Sequence, residues 1–233
     1  MALTSLNFRR NTFAKYYWLD RITPERHLLR GRQYSIAKRI MDLSIALVTL
    51  PILFGVLVTC AILIKLESPT GPIFFVQERT GKGGRRFKMY KFRTMVVNAE
   101  ELKKELAAVN ENGELDGPLK LENDPRITRV GRILRKTSLD ELPQVINILK
   151  GEMSWVGPRP TSFGLQSYRL WHTERLDVIP GITGLWQLYG RGSVDFDSWL
   201  DWDTFYIEQQ CIWLDFQIMV RTVFAVLDRR GAR

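Results

Sequence analysis

Residues 42–65 read DLSIALVTLPILFGVLVTCAILIK, and between Asp42 and Lys65 lie 22 residues without a charge. As a straight helix such a run measures about 33 Å, against about 30 Å of hydrocarbon in a bilayer, so it is long enough to cross. Two features argue against a simple crossing. Pro51 stands inside the run, where it removes a backbone donor and crowds the preceding turn, so a kink is expected there. Both flanks are also basic: Lys38 and Arg39 precede the run, and Lys65, Arg79, Lys82, Arg85, Arg86, Lys88, Lys91 and Arg93 follow it. A crossing would put one cluster on the outer side, against the positive-inside tendency. A helix that enters, bends at Pro51 and leaves on the same face keeps both clusters together. It then needs its freed backbone groups satisfied, and Thr49 is a candidate for that task. The run starts too late and lacks a small-residue cleavage site, so it does not read as a signal peptide.

Outward from this segment, the charge is lopsided. The chain has 233 residues, 34 Lys and Arg against 25 Asp and Glu, and a net charge of +9. Residues 1–40 hold nine of the cations and two acids, which leaves only +2 for the rest. Aromatic residues are interleaved there (Phe8, Phe13, Tyr16, Tyr17, Trp18, Tyr34), a mixture that suits an anionic membrane surface. A solvated basic arm is the plainer reading and nucleic acid a third. A composition 45% hydrophobic and 25% charged excludes global disorder. Two Cys and two His count against a disulfide scaffold and a zinc enzyme.

Beyond the apolar run, SPTGP (68–72) is a turn by composition. IFFVQER (73–79) and RRFKMYKFRTM (85–95) read as two strands about a Gly-rich turn at 81–84. By alternation Phe87, Met89, Lys91 and Arg93 share one strand face, which thus ends in two cations. Residues 96–109 form a short amphipathic helix, 110–124 an acidic loop, and 128–136 a basic helix. In TSLDELPQVINILKG (137–151), Leu142, Val145, Ile146 and Leu149 predict an amphipathic helix ending near Gly151. GPRP (157–160) is a rigid turn, 163–176 a short helix, 179–192 a Gly-punctuated loop or short strand, and 195–228 aromatic-rich helical material.

Asp140 and Glu141 are the residues where chemistry would sit. Their spacing from Ser138 is that of a capping box, and on that motif alone a structural role is favoured. The surroundings add a second reading. Adjacent carboxylates at a helix start can hold a divalent cation, and Mg²⁺ typically takes one or two carboxylates and completes its shell with water and substrate phosphates. Arg79, Lys91, Arg93, Arg135, Arg159 and Arg191 lie in turns and at strand ends, and forked Arg donors suit phosphate. Together these suggest phosphoryl transfer at a bilayer surface. Neighbouring Asp and Glu cannot flank a sugar ring from opposite sides, which counts against a glycosidase. No GxxxxGK[ST] or GxGxxG motif occurs.

The ordered blocks KRIMDLSIALVTLPILF (38–54), GPIFFVQERTGKGG (71–84), FKMYKFRTM (87–95), DPRITRVGRILRKTSLDELPQVINILKGEMSWVGPRP (124–160), PGITGLWQLYGRG (180–192) and the tail from Tyr206 resemble the bacterial sugar transferases, the monotopic phosphoglycosyl transferases. The resemblance covers about residues 36–233. It implies an α+β fold with a re-entrant N-terminal membrane helix (36–66), interfacial amphipathic helices and a small catalytic domain built on a β-hairpin (67–233), after a basic aromatic extension (1–35). It implies transfer of a hexose-1-phosphate from a UDP-sugar to undecaprenyl or another polyprenyl phosphate, with release of UMP, at the cytoplasmic face of a bacterial inner membrane. Asp140 is then the nucleophile that holds the sugar phosphate, and Asp140 and Glu141 bind Mg²⁺. Lys91, Arg93, Arg135, Arg159, Arg79, Gln187 and Arg191 are the implied phosphate and substrate contacts, and Pro51 the helix break. Leu50 stands before Pro51 where small members of the family have Ser. The partners are the UDP-sugar, the lipid phosphate and one membrane leaflet, without nucleic acid; residues 1–35 are open between an interfacial helix and a homodimer contact. The rival readings are a membrane-tethered scaffold without activity and a single-step transferase.

Overall fold

The computed structural model describes residues 16, 18, 19, 22, 28–109, 124–164, 166, 170–189 and 196–228. The expected acidic loop at 110–124 falls, save Asp124, outside the described residues, as does Arg191. The architecture is α+β, with a long apolar helix followed by two small two-stranded sheets set among short helices.

Helix α1 runs unbroken from Gly31 to Glu67, 37 residues, with Pro51 inside it. It begins five residues before the expected boundary. Its first turns carry polar rather than apolar anchors, so hydrophobic periodicity alone does not reveal them: Tyr34 and Lys38 are buried and both bond to Asp215 near the chain's end, at 2.8 and 2.9 Å. Thr49 donates to the carbonyl of Ile45 at 2.6 Å. That carbonyl lies two residues ahead of Leu47, whose usual donor Pro51 lacks, so Thr49 reinforces the preceding turn and does not replace the missing bond. Between its ends α1 presents apolar side chains outward: Leu47, Val48, Ile52 and Phe54 are 60–78% exposed. Its most apolar 18-residue window has a mean hydropathy of 2.7, enough to cross a membrane by length and composition.

Strands β1 (Phe74–Thr80) and β2 (Arg86–Phe92) form the predicted antiparallel hairpin, Phe74 opposite Phe92 and Thr80 opposite Arg86. The turn needs glycine at two places, since Gly83 and Gly84 have φ of +64° and +74°. As alternation requires, Phe87 and Met89 are buried, packing on Ile148 and Met153. Helix α2 (Ala99–Val109) follows. Helix α3 (Arg129–Lys136) is capped twice. Thr128 Oγ1 accepts from Gly131 N at 2.9 Å, and Glu67 from the end of α1 accepts from Arg129 N and Val130 N at 2.8 and 2.9 Å.

The next segment departs from the predicted amphipathic helix. Residues Leu139–Gln144 form a 3₁₀ turn and only Val145–Lys150 is α-helix, α4, closed by left-handed Gly151. The tighter turn rotates the buried face to Val145, Asn147 and Ile148, and leaves Leu149 38% exposed. Ser138, at φ 58°, is left-handed and its side chain caps nothing, so the expected capping box is absent. Glu141 is engaged elsewhere, as described below.

Short strands β3 (Ser154–Val156) and β4 (Gly181–Thr183) pair in parallel, and a 3₁₀ turn, Leu170–Leu176, lies between them. Helices α5 (Leu185–Tyr189), α6 (Phe196–Gln209) and α7 (Ile212–Leu227) complete the chain. They gather a core of Val156, Leu185, Trp202, Phe205, Leu214 and Ile218, into which Leu19 and Ile22 of the N-terminal extension also pack.

Candidate active site

Glu141 takes its place from the 3₁₀ turn and its charge partners from two other elements. Lys91 of β2 donates to Oε1 at 2.9 Å. Arg159 of the GPRP turn reaches both oxygens, Nη1 to Oε2 at 3.1 Å and Nη2 to Oε1. All three side chains are partly buried. Burial would raise the Glu141 pKa, but Arg159 and Lys91 outweigh it and hold the carboxyl well below the usual carboxylate range. Arg159 is raised in turn, chiefly by Glu141, while burial first and Arg159 second lower Lys91.

Asp140 differs. It lies near the same cations and Arg135, but accepts no hydrogen bond from the described residues. Burial pushes its pKa up, with Lys91, Arg135 and Arg159 pulling the other way. Two adjacent carboxylates thus have environments that drive their proton affinities apart, an arrangement found where acids and nucleophiles are assigned distinct tasks.

Each cation is held by identifiable structure. Lys91 depends on the docking of β2 against α4, which Asn147 makes. Its amide accepts from Tyr90 N at 3.1 Å, and donates to Lys88 O and Glu152 Oε2 at 2.7 Å each. Arg135 Nε donates to Thr94 Oγ1 at 2.8 Å, and α3 comes this near because Gly131 lies over Thr94. A Cβ at Gly131 would stand 2.1 Å from the Thr94 carbonyl oxygen. Arg159 is fixed through its carbonyl, which accepts from Arg175 at 2.7 Å, and Arg175 is itself paired with buried Asp203 at 2.9 Å. Arg79 enters from β1 beside Arg159 and Glu141, with burial first and Arg159's charge second lowering its pKa to about 10. Its Nε is buried without a hydrogen-bond partner among the described residues.

Of the residues expected from sequence, the structure therefore brings together Asp140, Glu141, Lys91, Arg135, Arg159 and Arg79. Arg93 points away from the dyad: it donates to Ser68 O at 3.1 Å and packs on Gly71, where a Cβ would overlap its guanidinium. Gln187 is buried and donates to Ile182 O at 3.1 Å, while its Oε1 has no hydrogen-bond partner among the described residues. Asn147, Gly131 and Arg175 are the supporting residues that sequence reading missed. Asn147 sits in an apolar-looking helix, and its position between Ile146 and Ile148 (VINILK, 145–150) is the one signal that marked it.

The bacterial sugar transferase family model matches residues 33–229. The chain is 46% identical over 171 residues to the undecaprenyl-phosphate galactose phosphotransferase of Salmonella typhimurium, covering 72% of this chain and 36% of that one. It is 37% identical over 212 residues to the UDP-glucose:undecaprenyl-phosphate glucose-1-phosphate transferase of Xanthomonas campestris pv. campestris, covering 87% and 41%. The chain thus spans well under half the length of these two relatives. With the exopolysaccharide production protein ExoY of Rhizobium meliloti the match is 40% over 201 residues, covering 85% of this chain and 88% of ExoY.

Proposed function

The chain belongs to the bacterial sugar transferase family, and on that premise we propose that it moves a sugar-1-phosphate from a UDP-sugar to a polyprenyl phosphate, releasing UMP, through a covalent intermediate on Asp140. The observation that carries this reading is the asymmetry of the dyad: Glu141 is clamped by Lys91 and Arg159 while the neighbouring Asp140 carboxylate stays open. An Asp140 oxygen attacks the β-phosphorus. The bond from that phosphorus to the bridging oxygen breaks, and UMP departs with the oxygen. A phosphate oxygen of the lipid then attacks the same phosphorus, the acyl phosphate bond breaks, and the Asp140 carboxylate is restored. A raised proton affinity makes an ionised Asp140 a better nucleophile than an ordinary aspartate.

Phosphoryl transfer depends mainly on positioning and on offsetting charge. Arg79, Lys91, Arg135 and Arg159 supply four cations against the two carboxylates, and the unpartnered Arg79 Nε is a donor available to a phosphate oxygen. Glu141 acts chiefly as the counter-ion that keeps Lys91 and Arg159 aimed. Asp140 would hold Mg²⁺, the ion that this chemistry implies, together with substrate oxygens and water, and Glu141 would join only by giving up bonds to Lys91 or Arg159. When bound, Mg²⁺ would offset charge on the diphosphate and the leaving UMP.

The covalent route lets a soluble donor and a lipid acceptor visit the same carboxylate in turn. Seating the site at the bilayer surface leaves the lipid tail in place, since extracting it costs about 0.8 kcal/mol per CH₂. Support for a re-entrant α1 comes from its two ends, and the basic flanks of the run favour the cytoplasmic face for the site. Lys38 bonds Asp215 and Glu67 caps α3, so both ends rest on one body, as a helix that enters and leaves on one face requires. The amphipathic α7, with Trp213, Phe216, Val223 and Phe224 exposed, suits the interface. Relatives act on galactose, glucose and N-acetylgalactosamine by name, and the sugar here is open among them.

Initial-rate kinetics on a panel of UDP-sugars test the proposal. Parallel double-reciprocal lines with UMP release are expected; intersecting lines would reject the covalent route in favour of direct transfer.

A further inference from the structure

A groove of about 490 Å³ lies between the half of α1 after Pro51 and helix α3. Ile52, Gly55 and Thr59 form one wall; Ile133, Leu134 and Leu139 form the other. The lining is almost wholly apolar. Thr59 conforms to this, because its hydroxyl donates back to Gly55 O at 2.9 Å and presents its methyl. Space is left at Gly55, where an added Cβ would meet nothing within 4 Å. One end of the groove lies at Leu63 and Val130, where Ile62, Leu63 and Leu66 of α1 are exposed. Because Glu67 of α1 caps the start of α3, the two helices run antiparallel, so the other end lies at Ile52 and Leu139, the residue before Asp140. Arg135, on the same helix as Ile133, stands by that end with Lys91 beyond it. From Ile52 to Leu63 the wall spans about 16 Å.

We infer that this groove holds the first isoprene units of the polyprenyl phosphate acceptor, tail toward the bilayer and phosphate at Asp140. The inference rests on the acceptor class proposed above and adds where it binds. A single branched chain bearing a phosphate at its very end matches a single apolar trough that ends among cations. A phospholipid carries two chains and a glycerol between tail and phosphate, and matches it poorly. Gly55 and Thr59, small and one turn apart, leave room for branch methyls. Binding the tail beside Leu139 brings the terminal phosphate to the acyl phosphate on Asp140 without a separate recruitment step.

Full-length protein in nanodiscs provides the test. A polyprenyl phosphate carrying a photoreactive group near its phosphate end should label peptides spanning 52–63 and 130–139. Excess unlabelled polyprenyl phosphate should compete and excess phosphatidylglycerol should not. Gly55→Phe and Ile133→Trp fill the groove from sites with room, and should lower labelling and slow discharge of the Asp140 adduct by long-chain acceptor by about tenfold or more, the equivalent of two or so buried methylene contacts. Adduct formation from donor alone should be unchanged, as should discharge by a one- or two-isoprene phosphate. Val48→Trp, on the outward face of α1 where Val48 is 78% exposed, should match wild type throughout. Equal competition by phosphatidylglycerol, or labelling and discharge unaltered in both filled variants, would overturn the groove assignment. Absence of any adduct from donor alone counts against the reaction itself, and the labelling still decides the groove.

Discussion

Glu141 carries Lys91 and Arg159 on one carboxylate, while Asp140, one residue earlier, stays open. The two therefore respond to pH and to substitution in opposite senses. The Glu141 pKa is lowered on folding, so its contribution is fully present above the unfolded carboxyl pKa and is lost as pH falls toward the folded value. Glu141→Gln leaves two cations without their partner and should cost about 2 kcal/mol in urea unfolding, discounted from a fully buried pair for its partial exposure. The Asp140 pKa is raised, so its ionised form subtracts stability once pH passes the unfolded carboxyl pKa. Asp140→Asn should raise Tm at neutral pH while lowering turnover by roughly a thousandfold or more. The acid limb of kcat/KM should lie above that of an ordinary aspartate. The dyad itself was legible in SLDELP, as were most of the cations. What spacing alone favoured, a capping box, failed because Ser138 turns left-handed at φ 58° and Glu141 is drawn to cations from distant segments. Long-range charge pairs of that kind leave no local periodic signal.

At the level of elements, the β-hairpin followed from alternation and turn glycines, and α3 and the C-terminal helices from their basic and aromatic-rich composition. The segment after Ser138 did not, because a 3₁₀ turn before α4 rotates the buried face away from Leu149. Asn147 shows what replaced it: a polar side chain, fully buried, that ties β2 to α4 and so places Lys91. Asn147→Leu keeps similar bulk but strands Tyr90 N and Lys88 O, and should cost about 2–4 kcal/mol with kcat falling further than stability explains. Gly131→Ala should push α3 from Thr94, since its Cβ would meet the Thr94 carbonyl at 2.1 Å. Overpacking of this kind costs about 1–3 kcal/mol, and detachment of Arg135 should appear as a raised KM for the donor.

Over the whole molecule, α1 is fastened at both ends by polar contacts, and between them Val56, Leu57 and Cys60 pack against Leu134 while Leu47, Val48, Ile52 and Phe54 face outward. Lys38, Tyr34 and Tyr206 converge on Asp215, with Tyr206 donating at 2.6 Å, and Ser154 donates to Asp42 at 2.9 Å. A buried cation in this network makes Asp215→Ala expensive: loss of about 3–5 kcal/mol in chemical denaturation is expected, as for one partner removed from a buried pair. The same fastening sets topology. With Cys60 and Cys211 replaced, single cysteines at Arg32 and Lys88 should react with an impermeant reagent from the same side of the membrane. Reaction from opposite sides would exclude re-entry. The length and hydropathy of α1 were plain in the sequence; its attachment was not, because Lys38 and Asp215 are 177 residues apart.

The most direct measurement is intact and peptide mass spectrometry of the protein incubated with a UDP-sugar and no lipid acceptor. A sugar-phosphate increment on the peptide containing Asp140, absent in Asp140→Asn and discharged by polyprenyl phosphate, is the predicted result. UMP formation that proceeds only when the lipid is present, with no increment on that peptide under rapid quench, would contradict it.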